Sequence, residues 1–375
     1  MILDDLKKME ALDNTKNNDY IEYENNLESP HVIIYQMESV GEWALSQEPS
    51  PMPFFEKLKK ENISVESFYS NSCTTINTEF SAVCSFYPEK FGPISDIFSY
   101  NDYYCLPQIL KEDYDYKTKQ YHSNYSSFWN RDVLGQKWGY EENYFSPEYK
   151  LRQDDESILL EVVDRIKKAT TPTFNYVIGF TSHSPHSKKF IDLNYFENNI
   201  EISRYEDDLN NKSLEVDVDE ETIRNYYGFL GAIDDGIKKL FQKLEDNNLI
   251  NNTVVVIFGD HRYYKFKTSD MVENFYSYNK VPFAMYVPGD YVGQTSKIAS
   301  HLDVAPTLLH LIEGERYQKR PGFLGNSLLD SDHDDNVLSK CLGESYYLSQ
   351  DILLKNHSVL DYTEAVGFFH KYAKL

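Results

Sequence analysis

The chain has few basic residues, few cysteines and no long apolar run. It contains 37 lysine and arginine residues against 60 aspartate and glutamate residues, and the net charge of −23 disfavours binding to a nucleic-acid backbone. A phosphorylated substrate stays compatible with this charge because a bound cation inverts the charge locally. No stretch approaches the roughly 18 apolar residues of a membrane span. The first ten residues, MILDDLKKME, carry acids where a signal peptide has basic residues. The chain alone is therefore predicted to be soluble, and any anchor to be cut away or encoded elsewhere.

The four cysteines are Cys73, Cys84, Cys105 and Cys341, and they lie far apart without CxxC spacing. This scatter predicts neither a disulfide framework nor a zinc site. We expect four free, mostly buried thiols, which leaves the redox compartment open.

The apolar content of 41% and the aromatic content of 15% suffice for a large core. Residues 1–28 are polar and are predicted to form a leader or linker. Residues 29–375 are predicted to form one catalytic domain, with about 325–375 as a small appended subregion. Residues 90–150 are dense in Tyr, Asn, Ser and Trp. We expect them to form a long functional excursion outside the sheet core.

Short apolar runs alternate with helical patterns along the chain. The runs resemble buried parallel strands, and they cover residues 31–37, 174–180, 253–259 and 281–287. The helical patterns cover residues 155–169, 219–246 and 303–312. This alternation predicts an α/β fold with a mostly parallel central sheet and helices on both faces.

Acidic and histidine side chains follow three of the predicted strands. Glu38 follows the first, His183 and His186 follow the second, and Asp260 with His261 follow the third. Functional sites in open α/β sheets collect at the carboxyl ends of strands, so this set is typical of a metal site. Taken singly, each residue fits an ordinary loop or core position equally well.

A polar loop joins a short helical pattern in NSCTTINTEF, residues 71–80. Thr74, Thr75 and Thr78 place hydroxyl groups near the expected helix N-terminus, where backbone N–H groups favour a phosphate. Ordinary N-capping by threonine explains the same pattern, and both interpretations stay open.

Several motifs occur in the order found in lipoteichoic acid synthases. They are HVIIYQMES, the T-x-x-x-E-F segment Thr75–Phe80, SSFWNRD, FTSHSP, VIFGDH, DVAPTLLHLIEG and GNSLLDSDHD. From about residue 30 to about residue 335, the chain resembles the extracellular catalytic domains of that family. Those domains belong to the sulfatase-like, alkaline-phosphatase-type superfamily, and the resemblance implies their fold.

The resemblance also implies roles for individual residues. Thr75 matches the nucleophile, and Glu38, Asp260 and His261 join it as ligands of one divalent cation, Mn²⁺ first and Mg²⁺ second. Trp129, Arg131 and His183 match the groups that hold the phosphate and glycerol of the substrate, and His122 matches a second active-site histidine. Arg131 would grip phosphate oxygens, and His183 would stabilise developing charge or protonate the leaving alkoxide.

The implied activity is that of a phosphoglycerol transferase. Glycerol phosphate would move from a phospholipid head group to a polymer acceptor, or to water, through a phosphothreonine intermediate. The implied location is the extracellular face of the cell membrane, with membrane contact only through a missing or separate anchor. A cytoplasmic location is the alternative for a chain without a signal segment.

The sequence also bears on other activities of the superfamily. A formylglycine sulfatase needs C/S-x-P-x-R, and the residues after Cys73 supply neither the Pro nor the Arg. A two-metal phosphatase needs about three more ligands, and His301 is predicted to have a structural or rim role instead. Arg262 directly follows the Asp-His pair, and it predicts that the rim of the site differs from that of the family. The alternatives that remain are a phosphoethanolamine transferase, a phosphodiesterase or phosphatase, and an inactive surface-polymer binding protein.

Overall fold

The computed structural model describes most of the chain between residues 27 and 355. The described residues are 21, 27–46, 49–88, 92–145, 155–186, 215–216, 220–263, 266–267, 279–289, 293–331, 333, 335–341, 344–349 and 352–355. Most of the predicted leader, residues 1–28, lies outside them, and Ile21 and Leu27 pack partly buried against the core. Residues 356–375 of the predicted C-terminal subregion also lie outside them.

The secondary structure alternates between strands and helices. The strands are β1 (His31–Met37), β2 (Ile63–Tyr69), β3 (Lys117–His122), β4 (Glu142–Phe145), β5 (Thr173–Ile178), β6 (Glu215–Val216), β7 (Thr253–Gly259), β8 (Phe266–Lys267), β9 (Phe283–Tyr286), β10 (Gly293–Ser300), β11 (Asn336–Cys341), β12 (Glu344–Ser349) and β13 (Ile352–Lys355). The helices are α1 (Glu42–Leu45), α2 (Pro53–Glu61), α3 (Thr75–Cys84), α4 (Ile94–Ile97), α5 (Leu106–Tyr114), α6 (Arg131–Trp138), α7 (Asp155–Lys167), α8 (Glu220–Asp246) and α9 (Val304–Glu313).

Eight strands form the central sheet in the order β10-β2-β9-β7-β1-β5-β3-β4. β1 lies in the interior and pairs in parallel with both β5 and β7. β9 is antiparallel to its neighbours β2 and β7, so the interpretation of 281–287 as a parallel-type strand is wrong. An apolar run reports burial on both faces and carries no information about strand direction. The prediction of a mostly parallel sheet is confirmed.

Helices cover both faces of this sheet, as predicted. Val32 and Ile34 of β1 face a core that includes residues of α3, α5, α6 and α9. Ile33 and Tyr35 face the opposite core, which includes residues of α2, α7 and α8. The alternation of strand side chains therefore divides one apolar run between two separate cores.

The expectation that residues 90–150 stay outside the sheet is wrong. This segment contributes β3 and β4, which extend the sheet beyond β5. The sequence of β3, KTKQYH, lacks an apolar run because its buried polar side chains are hydrogen-bonded. Thr118 Oγ1 donates to Gly139 O at 2.7 Å, and Gln120 Nε2 donates to Glu79 Oε1.

The prediction of free thiols is also wrong. Cys73 is bonded to Cys341, and Cys84 is bonded to Cys105. The first pair is separated by 268 residues, so its proximity arises from the tertiary fold and not from any spacing motif. Cys341 ends β11 of a separate antiparallel sheet, β11-β12-β13.

No helix in the described parts of the chain combines the length and the apolar content needed to cross a membrane.

Candidate active site

The ends of two neighbouring strands bring the acidic and histidine side chains together. In the β1–β7 pair Met37 lies opposite Gly259, so Glu38 and Asp260 follow at the same edge of the sheet. A Cβ atom at Gly259 would lie 2.2 Å from Val40 O. Only glycine at position 259 therefore allows the end of β7 to approach the segment after β1 this closely.

Four predicted metal ligands meet at this edge. One ligand atom each from Glu38, Asp260 and His261 lies within 4.8 Å of the others, and all three residues are buried. His261 Nε2 lies 3.7 Å from Glu38 Oε1 and 3.3 Å from Asp260 Oδ2. Thr75 Oγ1, at the start of α3, donates to Glu38 Oε2 at 3.1 Å.

The hydrogen bonds around this cluster fit a bound cation. Asp260 Oδ1 accepts from the backbone N–H of Ser39 and of His261, each at 2.6 Å. Asp260 Oδ2 is buried and accepts no hydrogen bond from the described residues. His261 Nδ1 donates to Arg262 O at 2.9 Å, which leaves Nε2 unprotonated in the neutral ring. Three oxygen donors and one imidazole suit a hard divalent cation such as Mn²⁺ or Mg²⁺.

The pKa values of the two neighbouring carboxylates shift in opposite directions. Burial and the neighbouring Glu38 carboxylate raise the pKa of Asp260 well above its usual range. Burial also acts to raise the pKa of Glu38, but His261, His183 and hydrogen bonds from Ser39 and Thr75 outweigh it and lower that pKa. A divalent cation would offset the repulsion between the two acids.

The backbone of Thr75 is fixed from the central strand. Gln36 Nε2 of β1 donates to Thr75 O at 3.1 Å, and Tyr176 OH of β5 donates to Gln36 Oε1 at 2.5 Å. Thr74 occupies the N-cap position without a side-chain capping bond. Thr78 Oγ1 donates instead to Asp260 O at 2.8 Å. The threonine side chains of this segment are therefore not explained by helix capping, and Thr78 connects α3 to the end of β7.

A cavity of about 180 Å³ opens beside Thr75. It is lined by Glu38, Cys73, Thr74, Thr75, His122, Asn124, Phe128, Trp129, Arg131, Phe180, His183 and His261. The four residues predicted to hold substrate, His122, Trp129, Arg131 and His183, therefore share one cavity with Thr75.

Arg131 presents a buried guanidinium to this cavity. Its Nε donates to Glu79 Oε2 at 3.4 Å, and both side chains are almost fully buried. Nη1 and Nη2 are buried and have no hydrogen-bond partner among the described residues. Two parallel N–H groups in this state match the oxygens of a phosphate. Gln120 Nε2 donates to the other oxygen of Glu79, so the carboxylate is held from both sides.

Replacing Arg131 by methionine should destabilise the protein more at pH about 8.5 than at pH about 5.5. Burial raises the pKa of Glu79 to about 7 even though Arg131 lowers it. Because this pKa is higher in the folded than in the unfolded protein, proton binding by Glu79 favours the folded state. This contribution to the free energy of unfolding is complete below the unfolded pKa of about 4.3 and is lost as pH rises to about 7. Without Arg131 the pKa of Glu79 rises further, so the loss of stability continues above pH 7. Leaving one member of a buried ion pair without its partner costs roughly 3–5 kcal/mol.

Urea unfolding of the wild type and Arg131→Met at both pH values measures this difference. The double variant Glu79→Gln/Arg131→Met should recover most of the lost free energy of unfolding at the higher pH, because it removes the unpaired carboxylate. An equal loss at both pH values would contradict the pairing.

Two histidines of the cavity have defined tautomers. His122 Nδ1 donates to Ile178 O at 3.0 Å, and His183 Nδ1 donates to Ser184 O at 2.6 Å. In both neutral rings Nε2 is therefore the unprotonated nitrogen. Burial and the nearby Arg131 hold the pKa of His122 well below its usual range, so this ring stays neutral. His183 is exposed and stacks on Phe180 with ring centroids 4.9 Å apart.

Two further histidines considered from the sequence lie outside the cavity lining. His186 is buried, its Nε2 bonds with Ser182 O at 2.9 Å, and its Nδ1 lies 3.2 Å from Tyr263 OH. His301 is fully buried and donates from Nε2 to Gly259 O at 2.9 Å. Burial lowers the pKa of His301 to about 3. No second cluster of three metal-type ligands occurs within the described ranges.

Sequence reasoning assigned no role to several residues at the site. Cys73, Asn124, Phe128 and Phe180 line the cavity, and Glu79 supports Arg131. Phe128 and Phe180 stand inside the motifs SSFWNRD and FTSHSP, and Glu79 is the acid of T-x-x-x-E-F. Glu79 lies among apolar residues of its helix, and this position indicates a buried carboxylate. Since a buried carboxylate requires a partner, the sequence did contain a signal for the pairing.

This architecture defines an alkaline phosphatase/sulfatase-like fold. The family model described as Sulfatase matches residues 30–314, so the chain belongs to the sulfatase family. Among its relatives are lipoteichoic acid synthase 1 of Bacillus subtilis (strain 168), 26% identical over 255 residues, and the lipoteichoic acid synthase of Staphylococcus saprophyticus, 24% identical over 310 residues. These alignments cover 63% and 76% of this chain. The resemblance inferred from the motifs is confirmed.

The chain spans less than half of the length of these two relatives, 37% and 45%. A solved structure of the lipoteichoic acid synthase LtaP from Listeria monocytogenes superposes with a TM-score of 0.72 and 18% identity, covering 98% of this chain and 97% of that one. A protein of the alkaline phosphatase superfamily from Vibrio parahaemolyticus also gives a TM-score of 0.72, with 16% identity over 95% of this chain and 88% of that one. These likenesses confirm the predicted fold class.

Proposed function

We propose that this chain is a metal-dependent phosphotransferase domain that moves glycerol phosphate from a phospholipid head group to a polymer acceptor. The observation that carries the proposal is the position of the Thr75 hydroxyl. It lies at the first turn of α3 against the Glu38 carboxylate, and it shares a cavity with the Arg131 guanidinium. A hydroxyl, an acidic cluster and a buried guanidinium thus share one place. This proximity supports Thr75 as the nucleophile and Arg131 as the group that binds the phosphate.

Glu38, Asp260, His261 and Thr75 would hold one divalent cation, Mn²⁺ first and Mg²⁺ second. When bound, this ion lowers the pKa of an attacking hydroxyl and neutralises phosphate charge. The Thr75 hydroxyl donates its hydrogen to Glu38 Oε2, so the Thr75 oxygen lies beside the acidic ligands. Asp260 keeps one oxygen for the ion because the two backbone N–H groups occupy the other.

The remaining residues account for the transfer itself. Thr75 Oγ1 loses its proton to solvent and forms a bond to phosphorus, and the bond from phosphorus to the diacylglycerol oxygen breaks. Arg131 Nη1 and Nη2 bind the phosphate oxygens whose charge develops. His183 enters this step as the imidazolium and gives its Nε2 proton to the leaving diacylglycerol alkoxide. The intermediate is Thr75 carrying glycerol phosphate. The hydroxyl of the acceptor gives its proton to His183 Nε2, attacks this phosphorus and releases Thr75, which takes a proton back from solvent.

The size and lining of the cavity suit a small alcohol phosphate. About 180 Å³ accommodates a head group and leaves the acyl chains outside. Trp129 forms an apolar wall for the glycerol carbons, and the unprotonated Nε2 of His122 accepts a hydrogen bond from a glycerol hydroxyl. The resemblance to lipoteichoic acid synthases, which the two relatives support, favours glycerol phosphate over other alcohol phosphates.

The two disulfides bear on where the domain works. Disulfides persist in oxidising compartments and are rare in the cytosol. They support the extracellular face of the cell membrane over the cytoplasm. Contact with the lipid donor would then depend on an anchor separate from the described residues.

Turnover of defined lipids tests the proposal. The protein is incubated with Mn²⁺ and phosphatidylglycerol, and released diacylglycerol and Thr75 carrying glycerol phosphate are measured by mass spectrometry. Activity that requires Mn²⁺ or Mg²⁺ and disappears with a chelator is the expected result. Release from phosphatidylethanolamine alone would identify a phosphoethanolamine transferase, and release of inorganic phosphate a phosphatase. No turnover of any lipid or chromogenic phosphodiester would indicate an inactive polymer-binding protein.

A further inference from the structure

The disulfide Cys73–Cys341 connects the C-terminal sheet to the residues directly before the nucleophile. Cys73 stands two residues ahead of Thr75 and lines the same cavity. Cys341 ends β11, and the Cα atoms of the two cysteines lie 5.3 Å apart. The covalent link therefore enters the wall of the active site itself.

Backbone pairing follows the same route as the disulfide. We call residues 70–74 the nucleophile loop. Lys340 N donates to Asn71 O at 2.9 Å, and Asn71 Nδ2 donates to Leu338 O at 3.0 Å. Ser72 also forms a parallel bridge with Lys340. The nucleophile loop thus lies alongside β11, on the edge that does not face β12.

The segment that carries the predicted metal ligand His261 also contacts this disulfide, at the sulfur of Cys341. Arg262 Nη2 lies 3.2 Å from Cys341 Sγ, and the carbonyl of Arg262 accepts the hydrogen bond from His261 Nδ1. Beneath these contacts Tyr69, at the end of β2, packs with Val337, Tyr346 and Leu348 of the C-terminal sheet. The sheet consequently contacts the segments that carry both Thr75 and His261.

We propose that the β11-β12-β13 sheet is a positioning element for Thr75, that Cys73–Cys341 is its covalent link, and that turnover depends on this link staying oxidised. The inference rests on the proposed function because it takes Thr75 as the nucleophile. With the link broken, the two hydrogen bonds of Asn71 to β11 remain, but Cys73 is released. A shift of about 1 Å in a reacting group lowers turnover by about 100-fold.

The redox step is a simple exchange with an external dithiol. Both thiols of dithiothreitol are oxidised to its cyclic disulfide. The sulfur–sulfur bond of Cys73–Cys341 breaks and takes up two electrons and two protons to give two thiols. The second disulfide, Cys84–Cys105, joins the far end of α3 to the start of α5 and provides a matched control.

The experiment compares Cys73→Ser/Cys341→Ser with Cys84→Ser/Cys105→Ser, well below the unfolding temperature of either variant. The first variant should lose about 10- to 100-fold in kcat with KM little changed, and its peptides over residues 70–75 should exchange deuterium faster. Its Mn²⁺ affinity by calorimetry should fall about 10-fold because the Thr75 oxygen is displaced. Dithiothreitol should have the same effect on Cys84→Ser/Cys105→Ser, which retains only the Cys73–Cys341 disulfide.

Unchanged kcat, exchange and Mn²⁺ affinity in Cys73→Ser/Cys341→Ser would overturn the inference. Equal losses in both variants would overturn it as well, because they would show a general effect on stability. If the wild type turns over no phosphodiester, the proposed function fails, and exchange at residues 70–75 together with Mn²⁺ affinity still decides whether the sheet positions Thr75.

Discussion

Thr75→Ala should abolish lipid turnover and leave the fold intact. The hydroxyl is the atom that would accept the phosphoryl group, so its loss should lower kcat by about 10³-fold or more. Alanine is a good helix former, and Thr75 is a partly buried residue in the first turn of α3. Release of diacylglycerol gives the rate, and circular dichroism with thermal unfolding reports the fold.

Two companion variants make this result specific. Thr75→Ser keeps a hydroxyl and should retain measurable turnover and a phosphorylated intermediate. Thr253→Ala removes a hydroxyl that donates to Leu249 O at the opposite end of β7, and should leave kcat unchanged. Full activity in Thr75→Ala would show that another group attacks the phosphorus.

Asp260→Asn should separate metal binding from stability. Without metal the variant should be more stable than the wild type by roughly 1–3 kcal/mol, because a buried negative charge beside Glu38 is removed. Asparagine retains the oxygen that accepts from Ser39 N and His261 N. With Mn²⁺ at about 100 times its dissociation constant, the wild type should gain about 2.7 kcal/mol and the variant almost none.

Urea unfolding with and without Mn²⁺ measures both effects. Asp234→Asn is the matched control, because Asp234 is also a buried carboxylate and accepts from Phe54 N and Phe55 N on α2. This control should keep the full stabilisation by Mn²⁺. If Asp260→Asn is stabilised by Mn²⁺ as strongly as the wild type, Asp260 is not a ligand.

The interior strands were predictable because their burial leaves a direct mark on the sequence. β1 and β7 coincide with the predicted runs 31–37 and 253–259, since both faces of each strand are buried. Glu38, Asp260 and His261 were then predictable because functional sites in open α/β sheets lie at the carboxyl ends of strands. Thr75 and Arg131 lie on helices from other parts of the chain, so only the family resemblance indicated their roles.

The features that sequence reasoning missed depend on partners far away in the chain. β3 is buried through polar side chains, and Gln120 is recognisable as a core residue only once Glu79 is beside it. Cys73 and Cys341 come together only after the C-terminal sheet has docked. The direction of β9 is set by its neighbours β2 and β7 and not by its own four residues.

The chain positions of the cysteines have a consequence for oxidative folding during export. In a domain exported as proposed above, three of them, Cys73, Cys84 and Cys105, would enter an oxidising compartment well before Cys341, which follows Cys73 by 268 residues. Until then one thiol is left over, and it can capture either member of the native Cys84–Cys105 pair. Correct maturation should therefore benefit from an isomerase that reshuffles early mispaired bonds. Production in a host lacking one should yield mixed species that separate on a non-reducing gel.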